Sequence, residues 1–269
     1  MNKRIIYLAL VLVFFCSTSY GEEKVYTFGV LNQQSPELTA EKWNPILQYL
    51  SKVAGISLKL KMGPTVKSTD DMMGTGEFDF VFTNHHLQKE YQKIGFKTLA
   101  KWAGPPIYGV FIISPESKIT SLRDLNGKKI AFPSKDAFIA YAVPMVELKK
   151  QNIKVEPVFA GNQEGALGQI KFKQVDASAV NSRNLSQFIE REKVQLKEIW
   201  KSEPYSEIPV IVHPRVESKV ASKVQKALIN MAGDPQAKDI LDKGKFKGFE
   251  TATDSEYENA RIIYEKLEN

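Results

Sequence analysis

Residues 117–143 read SKITSLRDLNGKKIAFPSKDAFIAYAV. Ser121 to Leu125 suits one helical turn, and Asn126-Gly127 after it suits a helix C-terminus. Lys128 and Lys129 lead into Ile130-Ala131-Phe132, a short apolar strand. Pro133 ends that strand because proline cannot donate to a ladder. Ser134 or Asp136 then stands where a helix starting near Ala137 needs a cap. A strand, a polar turn and a helix N-terminus make an anion site, since free N–H groups and the helix dipole face the turn.

The same rhythm repeats on both sides of this stretch. Upstream, strands are expected over 25–31, 56–62, 78–83 and 99–102. Between them lies a helix over 40–54, with Trp43, Ile46, Leu47, Leu50 and Val53 at helical spacing. Polar helices over 68–73 and 87–93 complete the unit. Downstream, strands over 155–159, 176–180 and 196–200 alternate with helices over 164–172 and 185–193. The tail after residue 213 is helical. Two apolar strands, 108–114 and 209–212, bound the second unit.

Alternation of strands and helices predicts an α/β fold with parallel sheets covered on both faces. The economical layout is two α/β lobes joined by two hinge strands, with a ligand cleft between them. Lobe 1 would hold 24–108 together with 213–269, and lobe 2 would hold 109–212. Ligands in open α/β sheets bind beyond the carboxyl ends of strands. The loops 32–35, 83–86 and 134–136 therefore become candidates, joined by the strand ends at Asn162-Gln163 and 181–184.

The N-terminus has two cations, Lys3 and Arg4, then an apolar run from Ile5 to Cys16, then small and polar residues. That is the layout of a secretory signal peptide over 1–21, and the run is too short to span a bilayer. Cys16 is the only cysteine, and Phe15 before it fits a lipidation site poorly. A mature chain of about 248 residues would then carry no thiol and no disulfide, and a periplasmic location is expected. The formal charge of +6 falls to about +4 without Lys3 and Arg4. No basic tract interleaved with aromatics points to nucleic acid. No second apolar segment, internal repeat or low-complexity linker appears.

Individual side chains follow from position. Thr83 and Asn84 are hydrogen-bonders at a strand end, and His85 beside them suits an anion. Adjacent histidines such as His85 and His86 point apart in extended chain, so no metal is expected there. Ser134 and Phe138 would hold and wall the ligand. Asn162 and Ser182 add polar groups from lobe 2. Arg183 suits a bidentate oxyanion contact. Tyr108 opens one hinge strand, while Tyr205 and Glu207 lie near the other. The chain lacks GxSxG, GxGxxG, HExxH and P-loop motifs, so catalysis and cofactors are not expected, although closed-cleft folds can host enzymes.

Trp43-Asn44-Pro45, Gly76-Glu77-Phe78-Asp79, the SxIxxLxDLxGKxIAF pattern of 117–132, Ala160-Gly161 with Gln174-Val175-Asp176, and Trp200-Lys201-Ser202 occur in this order. With them the chain resembles the PhnD-like periplasmic binding proteins, solute receptors of phosphate, phosphite and phosphonate ABC importers. It looks closest to a divergent branch that includes proteins standing beside sensor kinases. The resemblance implies a type 2 periplasmic binding fold and a membrane ABC permease or a sensor histidine kinase as partner. It also implies an aromatic near the ligand at Tyr108. In phosphonate-binding members a Ser-Thr-Ser-Gly run at a helix N-terminus holds the oxyanion. Here 134–140 supplies only the Ser134 hydroxyl. The family's binding histidine falls at Asn162, and its ammonium-binding glutamate falls near Ser182-Arg183.

Overall fold

A computed structural model describes residues 24–268. The leader expected over 1–21 lies outside the described residues. Strand β1 (Val25–Val30) leads into α1 (Pro36–Ala54). The Ser35 hydroxyl accepts from the Leu38 amide, Pro36 takes the first helical position, and Gly55 closes the helix in the left-handed conformation. The helix thus begins four residues before the expected start. After β2 (Ser57–Lys61), α2 (Val66–Gly74) opens on a capping box of Thr65 and Ser68. Strand β3 (Phe80–Phe82), a 3-10 turn at His85–Leu87, the short α3 (Lys89–Gln92) and β4 (Lys97–Trp102) complete this unit.

The second unit holds β5 (Gly109–Ile113), β6 (Lys129–Phe132), α4 (Val143–Lys150), β7 (Glu156–Phe159), α5 (Gln163–Lys171), β8 (Ala177–Asn181), α6 (Ser182–Glu192) and β9 (Lys197–Lys201). Strand β10 (Pro209–Val212), α7 (Ser218–Asn230), α8 (Lys238–Gly244), β11 (Phe249–Glu250) and α9 (Glu258–Glu268) follow. The first sheet has the order β11-β4-β10-β3-β1-β2 and the second β7-β6-β8-β5-β9.

Neither sheet is wholly parallel. β1 runs parallel to β2 and β3, but β10 pairs antiparallel with both β3 and β4. β5 likewise runs antiparallel to β8 and β9. The reason is the crossing: each strand that joins the units enters the sheet from the cleft end. β10 therefore belongs to the first sheet, although the expected boundary at 212/213 had grouped it with the second unit. The crossing segments pair with each other, Ile107 and Tyr205 exchanging backbone hydrogen bonds of 3.0 and 2.9 Å.

The main core surrounds the first sheet, where Phe28, Ile46, Leu50, Phe80 and Phe82 are buried. It continues across the cleft floor into Phe138, Ile139, Ala142 and Val143 of the second unit. Phe138 is 4% exposed and lies 5.0 Å from the Tyr205 ring and 5.2 Å from that of Tyr264. Helix α9, expected with the first lobe, packs on α4 as well as on the turn at His85–Leu87. Its last turn is tied to the second unit by Lys149, whose Nζ donates to the Leu267 carbonyl at 2.7 Å.

Candidate functional site

Four strand-end loops converge on one partly open cavity of about 30 Å³ between the units. Asn32 comes from the loop after β1, Asn84 and His85 from that after β3, Ser134 from that after β6, and Asn181 ends β8. Gln163 at the start of α5 joins them, and Ile107, Ile208, Phe138 and Ile139 form apolar walls. A space of that size admits only a few heavy atoms, since about 10–15 Å³ on this measure holds one water.

The turn after Ser134 differs from an ordinary helix start. Phe138–Ala142 form a π-helical turn that runs directly into α4. No side chain caps it, so neither Ser134 nor Asp136 acts as the expected cap. Ser134 Oγ is buried without a hydrogen-bond partner. The Asp136 carbonyl instead accepts from Gln88 Nε2 at 3.3 Å and from the Tyr264 hydroxyl at 3.1 Å. The wide turn sets the Ile139 carbonyl against Gly109, where a Cβ would lie 2.4 Å from that oxygen. Only glycine permits this approach of the hinge strand to the turn.

His85 is the single ionisable side chain lining the cavity among the described residues. Its Nδ1 lies 2.7 Å from Asp70 Oδ2, and both side chains are buried. Burial alone would pull the imidazole down, but the Asp70 carboxylate outweighs it and holds the pKa above its ordinary value. Its backbone N–H donates to Thr83 Oγ1 at 3.0 Å. Thr83 therefore shapes the loop from one residue behind the cavity. The Asp136 carboxyl near the same turn is pushed up by burial, with Asp70 and Glu90 adding to the effect.

The remaining expected residues lie apart from this cavity. Tyr108, Ser182 and Arg183 line a neighbouring opening of about 360 Å³ on the hinge side, together with Lys201, Lys245 and Lys247. Ser182 Oγ accepts from the Tyr108 amide at 3.2 Å, and Lys201 Nζ sits 3.8 Å above the Tyr108 ring centre. Arg183 pairs with Glu207 and stacks on Trp102 with its guanidinium carbon 3.8 Å from the ring centre. Burial pulls the Arg183 pKa down to about 9, which leaves it charged at neutral pH. One of its terminal nitrogens thus faces a protein carboxylate.

Asn162 caps α5, its Oδ1 accepting from the Gly165 amide at 2.8 Å. Asn162→Ala is expected to cost about 1 kcal/mol of stability, measurable by urea denaturation. Asn32, Gln163 and Asn181 were visible only as members of strand-end loops. Among the described residues no group of three or more His, Cys, Asp or Glu side chains gathers as a metal site.

Residues 28–257 match the family model described as "ABC transporter, phosphonate, periplasmic substrate-binding protein". The Phosphonates-binding periplasmic protein of Escherichia coli (strain K12) is 24% identical, over 94% of this chain and 82% of that protein. Among solved structures, PhnD1 from Prochlorococcus marinus (MIT 9301) in complex with methylphosphonate superposes with a TM-score of 0.83. It is 16% identical and covers 91% of this chain and 99% of its own. A binding protein component of an ABC phosphonate transporter from Pseudomonas aeruginosa gives 0.80 at 17% identity, over 92% and 88% of the two chains. These two likenesses carry the fold, a type 2 periplasmic binding protein. With the greater part of its length matched, this chain belongs to the family of periplasmic substrate-binding proteins of phosphonate ABC transporters.

Proposed function

We propose that this chain captures a small phosphonate- or phosphate-like anion in the cleft between its lobes and delivers it to a membrane ABC permease. The observation that carries this reading is the cavity between the units, to which strand-end loops from both contribute hydrogen-bonding side chains. A ligand touching both sides gains contacts in the closed form that the open form lacks, which is what makes closure favourable. The paired crossing segments at Ile107 and Tyr205 supply the hinge for such a motion. Amide and hydroxyl groups, with His85, whose proton Asp70 favours, would hold the anion without an arginine.

Asn84→Ala and Ser134→Ala are each expected to weaken binding by about 0.5–1.5 kcal/mol, the worth of one hydrogen bond. Calorimetric titration with phosphate, phosphite and methylphosphonate measures this, and thermal melts confirm folding. Parent-like affinity in both variants would place the ligand elsewhere.

Methylphosphonate itself is expected to bind weakly. Ala137, Phe138, Ile139 and Ala140 supply no side-chain hydroxyl. Two hydrogen bonds to a charged group are worth about 1.5–3 kcal/mol each, so their loss costs on the order of 10²-fold or more. Submicromolar binding of methylphosphonate would refute that expectation.

A further inference from the structure

Asn32 is 4% exposed, and its amide orientation is fixed from outside the cavity. Its Nδ2 donates to the Gly63 carbonyl at 2.9 Å. Gly63 is itself held, its amide donating to Thr69 Oγ1 at 2.9 Å, with Ser68 packed where a side chain would go. Turning the Asn32 amide over would set two oxygens together at Gly63. Oδ1 therefore points away from Gly63, buried and without a hydrogen-bond partner, on a residue that lines the cavity.

Two other polar side chains around the cavity, Gln163 and Asn181, have the opposite sense. Gln163 Oε1 accepts from the Asn181 amide at 3.0 Å, which leaves Nε2 as its free group. Asn181 Oδ1 accepts from the amide and side chain of Asn184 at 2.8 and 3.0 Å, which leaves its Nδ2. His85 is held at Nδ1 by Asp70, leaving Nε2 free, a donor when the ring is protonated. The cavity thus offers two fixed amide donors and one fixed acceptor, with His85 Nε2 as a further donor when the ring is protonated. The Ser134 hydroxyl can turn to play either part.

We propose that Asn32 is a proton filter: its Oδ1 selects oxyanions that carry an O–H, accepting that proton while the donors hold the ionised oxygens. This rests on the reading of the cavity as an oxyanion site. An anion with no proton on oxygen can set only a bare oxygen or a carbon against Oδ1, which leaves that acceptor buried and unpaired. Small size and the O–H together describe the ligand class: a monoprotonated tetrahedral oxyacid of a few heavy atoms.

Methylphosphonate monoanion and methanesulfonate test the filter, because they share shape and charge and differ in one O–H. Both are titrated to millimolar concentration at a pH where the phosphonate is singly ionised. Methylphosphonate is expected to bind on the order of 10- to 100-fold tighter. Asn32→Leu should bring that ratio close to one, whereas Ser134→Ala should weaken both anions and keep it. Equal affinities in the parent protein, or an unchanged ratio in Asn32→Leu, overturn the filter alone. If neither of these anions binds, nor phosphate, the oxyanion reading falls and the filter with it.

Discussion

Arg183→Ala is expected to lose about 3–5 kcal/mol of folding stability. The cause is the partner left behind. Glu207 is 3% exposed, and Arg183 is the cation that pairs with it. Removing one member of a buried ion pair leaves an uncompensated charge, and that is the costly step. The guanidinium also covers the face of Trp102, so its removal strips a stacking contact from a buried ring. Urea denaturation of parent and variant measures the loss. A change below about 1 kcal/mol would show that Glu207 finds water or another donor in the variant. The double variant Arg183→Met with Glu207→Leu should recover much of the stability, because apolar replacement of a whole buried pair is often neutral or better.

The same contact joins the two units. Arg183 stands at the start of α6 in the second unit, and Trp102 ends β4 in the first. Glu207 lies on a crossing segment, and its carbonyl accepts from the Tyr257 hydroxyl at 2.6 Å. Separating the units would pull the guanidinium off the indole while Glu207 stays near the hinge. Lys245 and Glu190 form a second contact between the units, at 2.7 Å, but it is exposed and worth little. The arginine that the sequence suggests as a ligand contact thus pairs with Glu207 and stacks on Trp102 of the other unit.

How far the sequence could be read depended on the distance over which each feature is specified. Strands, helices and their order followed from local signals: Gly55 and Pro133 as stops, and the helical spacing of Trp43, Leu47 and Leu50. Even the missed start of α1 was local, since Ser35-Pro36 is a helix-opening pair. Strand direction was not legible. The apolar run of β10 encodes burial, and the same residues would suit a parallel or an antiparallel neighbour. The π-helical turn was equally hidden, because its widening is fitted to Gly109 at the far side of β6. Three of the strand-end loops that the sequence marked, 32–35, 83–86 and 134–136, do meet in one cavity. Which side chain in each loop faces it depends on partners far along the chain. Gly63 orients Asn32, Asp70 holds His85, and Glu207 takes Arg183.

Acid should destabilise the protein well before its carboxylates are protonated, and the source is His86. This ring is 5% exposed, between the cavity loop and α9, with Asp254, Arg261 and His85 as the charged or titratable groups acting on it. Burial pushes its pKa down to about 3 from the ordinary 6.5, so it stays neutral in the fold. Below pH 6.5 the unfolded chain takes up a proton that the folded chain cannot. Stability therefore falls as pH drops from about 6.5 toward 3, by up to about 1.4 kcal/mol per pH unit from this one group. Summed over that window the loss is on the order of several kcal/mol. His85 works in the other direction. Its pKa is raised, so its contribution is fully present below 6.5 and is lost as pH rises through the folded value. The adjacent histidines thus act at opposite ends of the range. Asp79, Asp254 and Glu256, all held below their ordinary values, add an acid loss common to any variant that keeps them. His86→Leu removes only the imidazole share. Chemical denaturation of parent and His86→Leu at pH 7, 5.5 and 4 should show the parent losing stability more steeply, with the gap between them widening as pH falls. Parallel losses would mean that the His86 ring is reached by protons in the folded state.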